Sequence, residues 1–349
     1  MKIAVLVSGG VDSAVALNLL KEEGHDLTAF YLKIWLEDEL SFLGECPWEE
    51  DLAMVRAVCE QAGVPLEVIS LQKEYWDRVV TYTIDEVKAG RTPNPDIMCN
   101  QRIKFGAFYD KIDDSYEKVA TGHYAQVENG VLKISPDEIK DQTYFLAQLS
   151  PAQLQRALFP LGKYPKEKVR ELAHQFDLPN KDRKDSQGIC FLGKIEFSEF
   201  IRHHLGTQSG DLINVDTGEK MGEHDGYWYY TIGQRKGIGL GNGPWFVVRK
   251  DIPSNTIYIS NEYHAEDKSR DKVKVTQFNW LSGYEPPIRE TVPLKVKLRH
   301  GPQVYDAQVE FHDDDSATIH LPESDQGIAA GQFAVFYKEG VCLGSGVMG

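Results

Sequence analysis

Two cysteines and one aspartate are the residues of this sequence best suited to chemistry. Asp96 precedes Cys99 by three residues in the stretch PNPDIMCNQRIKF, and Cys190 lies in KDRKDSQGICFLGK. The helix expected after Cys99, and the basic side chains near both cysteines, would favour the reactive thiolate. A carboxylate beside a thiol raises the thiol pKa, so Asp96 makes chemical sense if it moves a proton on a third molecule. Either cysteine could instead be an unreactive buried side chain.

A glycine-rich turn near the start of the chain could bind phosphate. A short apolar run at 3–7 is followed by SGGVDS at 8–13 and then by a helical stripe that ends at Gly24. Such a turn points backbone N–H groups inward at the positive end of a helix, and together they can hold an anion. The turn matches neither a Walker A loop nor a dinucleotide-binding GxGxxG motif. The alternative is an ordinary strand-to-helix turn whose glycines serve geometry alone.

Strands and helices alternate in the first half of the chain, which carries the glycine-rich turn, Asp96 and Cys99. Strands are predicted at DLTAFYLKIW, PLEVISL and EKVATGHYA, with helices at EEDLAMVRAVCEQAG and EYWDRVVTYTIDEVKAG. This alternation predicts an α/β domain with a doubly wound parallel sheet and a ligand at the carboxyl ends of its strands. Leu32, Gly122 and His123 lie at such ends, and Leu32 could line an adenine pocket. We expect this nucleotide-binding domain to span residues 1–205.

The rest of the chain is predicted to be mostly β. Residues 206–270 contain short strands and turns, which indicate a small central α+β or β domain. Residues 271–349 contain evenly spaced strands such as TVPLKVKLRH and GQFAVFYKEGVCLG, which predict a β-barrel. In the first of these, Lys295, Lys297 and Arg299 recur with period two, so we expect them on one face of a strand.

Composition restricts the class of protein. The chain has 349 residues, of which 42% are hydrophobic and 26% charged, as expected for a globular protein of two or three domains. No run approaches the roughly 18 apolar residues of a membrane helix. Five widely spaced cysteines form neither a secreted disulfide framework nor a paired zinc motif. We therefore expect a cytoplasmic protein with no membrane partner and predict no metal-ligating cluster.

The net charge of −15 opposes binding to nucleic acid unless a local basic patch offsets it. Residues 163–184 carry seven basic and four acidic side chains, and Arg235 and Lys236 lie among glycines in TIGQRKGIGLGNG. Together with the period-two basic residues at 295–299, these segments are candidates for contact with phosphates. Each could also be an ordinary solvated face.

Seven motifs carry a resemblance to a known family. SGGVDS, NPDIMCNQRIKF, TGHYA, KDQTYFL, DSQGICFLG, TIGQRKGIGL and GQFAVFY occur in the order and spacing of the tRNA-specific 2-thiouridylases, the MnmA family of PP-loop ATP pyrophosphatases. The resemblance covers essentially the whole chain. Two local differences stand out. Leu32 replaces the family's usual methionine, which should preserve an apolar pocket, and VLKISPDEI precedes KDQ where an Arg-Gly-containing stretch is usual.

The resemblance implies that sulfur replaces the C2 oxygen of the wobble uridine in certain tRNAs. ATP with Mg²⁺ would adenylate that oxygen, the SGGVDS loop would hold the departing pyrophosphate, and AMP would leave as sulfur arrives from a protein-bound persulfide. By motif position, Cys190 would carry the persulfide and Asp96 would be the general acid/base. Cys99 would release the sulfur and close a transient Cys99–Cys190 disulfide. The expected partners are a tRNA, whose uridine must be flipped out, and a sulfur-donor or relay protein.

The same resemblance implies the binding residues. ATP-binding residues are expected at Leu6, Val7, Ser8, Gly9, Gly10, Val11, Asp12, Ser13, Leu32 and Gly122, with Asp12 and Ser13 orienting phosphate and Mg²⁺. tRNA-binding residues are expected at Asn94, Pro95, Asp96, His123, Lys140, Asp141, Gln142, Arg299, His300 and Gln332. The disulfide would require the two cysteines to approach to roughly 4.4–6.8 Å between Cα atoms, so the segment 184–190 is expected to move.

Two other functions stay open. Another PP-loop ligase, acting on a small carboxylate or a different tRNA base, would use the SGGVDS loop without needing Cys99 and Cys190. A non-catalytic RNA- or nucleotide-binding module would release no pyrophosphate from a mixture of ATP, Mg²⁺ and tRNA.

Overall fold

The computed structural model describes residues 1–34, 48–184, 196–262, 270–325 and 327–349. Their strands form three sheets: a five-stranded sheet near the N-terminus, a four-stranded central sheet and a C-terminal barrel. The predicted α/β class and the order of the three architectures are confirmed. Among the helices in these ranges, none combines the length and the apolar character needed to cross a bilayer.

The first sheet is parallel throughout. Its strands are β1 (Lys2–Leu6), β2 (Asp26–Lys33), β3 (Leu66–Ser70), β4 (Lys118–Ala120) and β7 (Ala157–Leu158). They lie in the order β3-β2-β1-β4-β7. Strand β1 is central, with Val5 opposite both Ala29 and Ala120. The direction of winding changes between β1 and β4, which is where an open α/β sheet forms a cleft beyond its carboxyl ends.

Helices cover both faces of this sheet. They are α1 (Val11–Glu22), α2 (Trp48–Ala62), α3 (Gln72–Tyr75), α4 (Thr81–Lys88), α5 (Pro95–Cys99), α6 (Thr143–Leu146), α7 (Pro151–Arg156), α8 (Lys166–Gln175) and α9 (Phe197–Leu205). A π-helical segment, Trp76–Val80, joins α3 to α4, and another, Asn100–Ala107, continues α5. Short 3₁₀ turns occupy Tyr109–Lys111 and Tyr227–Tyr229.

Alternate residues of β1 enter two different cores, because successive side chains of a strand point to opposite faces. Ile3 and Val5 pack with α1, α2 and α8, whereas Ala4 and Leu6 pack with the helical segments between 72 and 108. Burial on both faces explains why β1 has an uninterrupted apolar sequence instead of an alternating one. The predicted doubly wound arrangement is therefore confirmed.

The central sheet is small and mixed. Its strands are β8 (Gly210–Asn214), β9 (Lys220–His224), β10 (Phe246–Asp251) and β11 (Thr256–Ser260), in the order β10-β11-β8-β9. Leu212, Val247 and Ile257 are buried in its core. The glycine-rich segment 231–240 lies in turns, with Arg235 and Lys236 exposed.

The C-terminal strands close into a barrel. They are β12 (Lys272–Trp280), β13 (Thr291–Lys297), β14 (Tyr305–Phe311), β15 (Ser316–His320), β16 (Phe333–Lys338) and β17 (Val341–Met348). The order is β12-β15-β14-β13-β16-β17, and β12 also pairs with β17, which closes the ring. Alternate residues such as Val296, Val309 and Ile319 fill the interior. The predicted barrel is confirmed.

The first domain and the barrel are joined more closely than the sequence indicated. A hairpin of the first domain, β5 (Gln126–Glu128) and β6 (Val131–Lys133), extends the barrel sheet, with Lys133 opposite Val341. Phe333 and Tyr337 of the barrel belong to the same apolar core as the helical face of the first domain. The barrel is therefore packed against the domain that carries the candidate site.

The prediction of one basic face on β13 is wrong. Lys295 is exposed, whereas the next two residues, Val296 and Lys297, are both buried. Arg299 lies beyond the end of the strand. The side chain of Lys297 turns inward because its ammonium group pairs with the carboxylate of Asp141 from the first domain.

Candidate active site

A cavity of about 560 Å³ lies at the carboxyl edge of the first sheet, beside the change of winding between β1 and β4. Fourteen residues expected from the sequence line it: Leu6, Val7, Ser8, Gly10, Val11, Asp12, Ser13, Leu32, Cys99, Gly122, His123, Lys140, Gln142 and His300. Lys184, from the basic segment 163–184, also lines it. Seven further lining residues had not been assigned to ATP or tRNA: Tyr31, Ile34, Asp51, Ile103, Lys104, Thr121 and Tyr124. The SGGVDS loop and the Cys99 thiol therefore share one space.

The SGGVDS loop is held by its own hydroxyl groups and by the chain behind it. Ser13 Oγ donates to the carbonyl of Gly10 at 3.0 Å and accepts from the backbone N–H of Ser8 at 3.2 Å. Gly9 adopts φ +77°, a conformation that favours glycine, and its carbonyl accepts from Asn180 and Arg183 behind the loop. The N-terminus of α1 is thereby fixed toward the cavity, as an anion cradle requires.

Asp12 carries two contacts that sequence reasoning missed. Its carboxylate accepts from the Tyr124 hydroxyl at 2.9 Å and pairs with Lys166 Nζ at 2.7 and 2.9 Å. Lys166 had been grouped with a basic segment facing RNA, but its side chain is only 13% exposed and lies at the phosphate loop. Asp12 and Lys166 are 154 positions apart, so no local pattern in the sequence could have predicted their contact.

The remaining basic residues of segment 163–184 do not form one patch in the part of the chain that is described. Arg183 pairs with Asp51 at the cavity wall, Lys181 with Asp177, and Lys168 with Glu171. Arg170 donates to backbone carbonyls of residues 181 and 183. Local acids thus neutralise much of the charge that the sequence assigned to a single face.

Gly122 allows the end of β4 to lie directly against the phosphate loop. A Cβ atom at this position would lie 2.8 Å from the Ser13 nitrogen and 2.9 Å from the carbonyl carbon of Asp12, closer than real Cβ atoms come. Both contacts are with backbone, which cannot rotate away as a side chain can. A glycine is therefore required here by close approach.

Cys99 lines the other end of the cavity, and Asp96 lies one helical turn before it but is not among the lining residues. The helix α5 begins earlier than the sequence suggested, because Pro95 occupies its first turn and the Asn94 side chain accepts from the Ile97 N–H at 3.3 Å. Cys99 is 1% exposed and lies inside a helical run that continues to 107. It is not at a helix start as expected, so the helix dipole acts on its thiol only weakly. Asp96, three positions earlier, shares its side of the helix.

Two histidines approach this end of the cavity from different domains. His123 follows β4, and its Nδ1 lies 2.6 Å from the Thr121 hydroxyl. Burial, together with the Lys104 ammonium, holds the pKa of His123 well below its usual value. His300 comes from the barrel and lies with its ring centroid 4.6 Å from that of Phe145. Burial lowers the pKa of His300, and Lys297 lowers it further. Both rings are therefore neutral at physiological pH.

Several residues expected to contact tRNA lie elsewhere. Asp141 is buried, at 2% exposure, and its carboxylate is taken up by protein groups. Arg299 pairs with Asp325 at 2.8 Å. Gln332 donates to the carbonyls of residues 92 and 93, at 3.0 and 2.8 Å, and accepts from Asn94, so it fixes the loop ahead of Asp96. Cys190 and the segment expected to move lie outside the described residues, apart from Lys184.

The lining of the cavity suits a nucleotide. Leu6, Leu32 and Ile34 provide apolar surface for a base, and Lys104 and Lys140 bring positive charge. Within the described residues, no three His, Cys, Asp or Glu side chains are grouped as a metal site. Mg²⁺ bound with ATP is held mainly by phosphates and needs only one or two carboxylates, and Asp12 at the loop fits that role.

Family models match three successive parts of the chain. Residues 1–194 match a family model described as the tRNA methyl transferase HUP domain, residues 198–261 the tRNA methyl transferase PRC-barrel domain, and residues 270–348 the aminomethyltransferase β-barrel domain.

Two curated relatives are similar over their whole lengths. The tRNA-specific 2-thiouridylase MnmA of Parabacteroides distasonis is 44% identical, covering 100% of this chain and 99% of the relative. MnmA 2 of Bacteroides fragilis strain ATCC 25285 is 45% identical, covering 100% of both. A solved structure, the U34-tRNA thiolase NcsA of Methanococcus maripaludis, is 17% identical with TM-score 0.36 and covers 58% of this chain and 64% of that one, which is too slight a likeness to support an argument.

Proposed function

Because this chain belongs to the tRNA-specific 2-thiouridylase (MnmA) family, we propose that the cavity between the SGGVDS loop and Cys99 is where it thiolates tRNA. The chain is a tRNA-uridine 2-sulfurtransferase that uses ATP. The proposal for the site depends on one observation, that the SGGVDS loop and Cys99 line the same cavity. A nucleotide with its phosphates at the N-terminus of α1 would therefore lie in the same space as the Cys99 thiol.

Activation of the uridine uses the loop end of the cavity. The C2 oxygen attacks the α-phosphorus of ATP, pyrophosphate leaves, and an O–AMP bond forms. The backbone N–H groups of the loop and the Lys166 ammonium beside Asp12 stabilise the charge on the leaving pyrophosphate. Asp12 and the ATP phosphates would hold Mg²⁺, which would screen that charge.

Sulfur transfer uses the other end. The terminal sulfur of a Cys190 persulfide attacks C2 of the uridine and forms a C–S bond, Asp96 takes up the S–H proton, and the C2–O bond breaks as AMP leaves. The Cys99 thiolate then attacks the inner sulfur of Cys190, which frees 2-thiouridine and leaves a Cys99–Cys190 disulfide. A two-electron reductant reopens it, and a persulfide-donating relay protein reloads Cys190. The reducing conditions this cycle needs support a cytoplasmic site of action.

The tRNA is proposed to enter from the side formed by both domains. His123, Lys140 and Gln142 of the first domain line the cavity with His300 of the barrel. The Asn94 loop, fixed by Gln332, leads to Asp96. A neutral His123 and His300 can donate and accept hydrogen bonds with a flipped base without adding charge.

The proposal is tested by mass spectrometry of tRNA nucleosides after reaction of purified protein with unmodified tRNA, ATP, Mg²⁺ and a persulfide donor. Cys99→Ser and Cys190→Ser should each abolish 2-thiouridine while pyrophosphate release continues. Cys59→Ala, at a cysteine buried in α2, is the matched control and should retain activity. Normal 2-thiouridine formation by either serine variant would contradict the assigned roles and favour a PP-loop ligase that does not use the cysteine pair.

A further inference from the structure

The buried ion pair between Asp141 and Lys297 is the feature of this structure that the function described so far does not use. Lys297 Nζ lies 3.2 Å from Asp141 Oδ2, and the two side chains are 6% and 2% exposed. Charges are rarely buried so completely unless they are paired, because removing them from water is costly. Most other ion pairs of the described residues lie at the surface, where they contribute little.

The carboxylate of Asp141 is fully engaged. Its Oδ1 accepts the backbone N–H of Ser135 at 3.0 Å, and its Oδ2 also accepts the Thr143 hydroxyl at 2.7 Å. That hydroxyl lies 3.1 Å from the hydroxyl of Tyr337 in the barrel. The pair and its hydrogen bonds therefore tie four segments into one network: the chain after β6, the start of α6, strand β13 and strand β16. One charge comes from each domain.

Both members of the pair lie within three residues, along the chain, of residues that line the cavity. Asp141 lies between Lys140 and Gln142, and Lys297 lies three residues before His300. Gln142 is aligned in turn by two bonds with Tyr124: its N–H donates to the Tyr124 carbonyl at 2.9 Å, and its Oε1 accepts the Tyr124 N–H at 3.0 Å. A shift of the pair would thus move the cavity wall on both sides of the domain junction.

We propose that Asp141 and Lys297 are positioning residues for tRNA, which set Lys140, Gln142 and His300 at the correct separation across the two domains without touching RNA themselves. This inference rests on the proposed tRNA site. It replaces the expectation that Asp141 contacts RNA directly, because a carboxylate engaged by three donors and buried beneath the cavity wall has no surface to offer.

Electrostatics supports the same link. Burial is the main cause that lowers the pKa of His300. Lys297 and Lys140 lower it further, and Asp141 and Asp96 raise it. The pair therefore acts on His300 through its charges as well as through the backbone.

The experiment compares Asp141→Asn, Lys297→Met and the double variant with wild-type protein. The full chain is used, and the dissociation constant for unmodified tRNA is measured by fluorescence anisotropy at one fixed salt concentration. The KM for ATP and the unfolding midpoint in urea are measured in parallel. The matched control is an exposed ion pair of the same domain as Lys297, Arg289 with Asp313 at 2.7 Å, treated as Arg289→Met, Asp313→Asn and the double variant.

Each single variant at the buried pair should lower the unfolding midpoint, because it leaves a buried charge without its partner. The double variant should recover most of the decrease in unfolding midpoint, because two neutral side chains are tolerated where one unpaired charge is not. Its affinity for tRNA should nevertheless stay weaker by about tenfold, as expected when contact groups are misplaced by a fraction of an ångström. The KM for ATP should stay within about twofold of wild type. The control variants should change neither the affinity for tRNA nor the KM for ATP.

A double variant that binds tRNA as tightly as wild type would overturn the inference, because the pair would then serve stability alone. Equal weakening of tRNA and ATP binding would also overturn it, since it would indicate a general disturbance of the domain. If wild-type protein binds tRNA without forming 2-thiouridine, the proposed function fails, and the tRNA affinity of the double variant still decides the role of the pair.

Discussion

Replacing Gly122 by alanine tests whether the close approach between β4 and the phosphate loop is what prepares the site for ATP. The added Cβ would lie 2.8 Å from the Ser13 nitrogen, whereas ordinary contact begins at 3.4 Å. The loop or the strand end must therefore move by about 0.6 Å. Forcing a methyl group into a well-packed position typically costs about 1–3 kcal/mol of stability.

The effect on catalysis should exceed the effect on stability. A misplacement of about 1 Å at a positioned group can lower a rate about 10²-fold, so we expect the kcat/KM for ATP to fall between about tenfold and 10²-fold. That range corresponds to about 1.4–2.7 kcal/mol of lost transition-state stabilisation. Pyrophosphate release in the presence of tRNA measures it, and urea unfolding measures the change in stability separately.

The control for this substitution is Gly241→Ala. Gly241 is exposed, and a Cβ there meets no heavy atom within 4 Å. It should leave both the kinetics and the unfolding free energy unchanged. Wild-type KM and kcat for ATP in the Gly122→Ala protein would contradict this prediction, because the loop could then shift by this distance without consequence.

Two further predictions follow from contacts at the cavity. Lys166→Met should raise the KM for ATP and slow pyrophosphate release by about 10²-fold, because it removes a cation that stabilises the leaving group. The control is Lys168→Met, which removes a lysine of an exposed ion pair on the same helix. Equal kinetics in the two variants would contradict the role of Lys166. Burial and Lys104 lower the pKa of His123 well below 6.5, its usual value. Below about pH 6.5 the imidazole is therefore protonated in the unfolded chain but neutral in the folded chain, and the free energy of unfolding falls as the pH drops. His123→Gln should reduce that fall between about pH 6.5 and 5 in urea titrations, and an unchanged slope would count against the assignment.

Local order along the chain made the loop and its supports predictable. The residues of β1, SGGVDS and α1 are consecutive, so their hydrophobic periods and glycines determine the strand, the turn and the helix without help from distant parts. The alternating strands of the C-terminal third predicted the barrel for the same reason. The motif order then predicted which strand ends would meet, and Leu32, Cys99, Gly122 and His300 do line one cavity.

Contacts between distant segments were not predictable. A period of two assigned Lys295 and Lys297 to one face, but a period cannot say what covers that face, and here Asp141 of another domain covers Lys297. The Asn94 cap and Pro95 start α5 earlier than the sequence indicated. Cys99 therefore lies away from the N-terminus of this helix.

The elements, the glycines of the SGGVDS loop and the family whose reaction this chain performs could all be inferred from the order of the residues. Which charges reach the cavity depends on the folded chain, which brings Lys166 to Asp12 and buries Asp141 in an ion pair with Lys297. This difference arises because local periodicity reflects interactions between neighbours in sequence. The partner of a charged side chain is chosen instead by burial, where a charge remains only if another segment brings its counterpart.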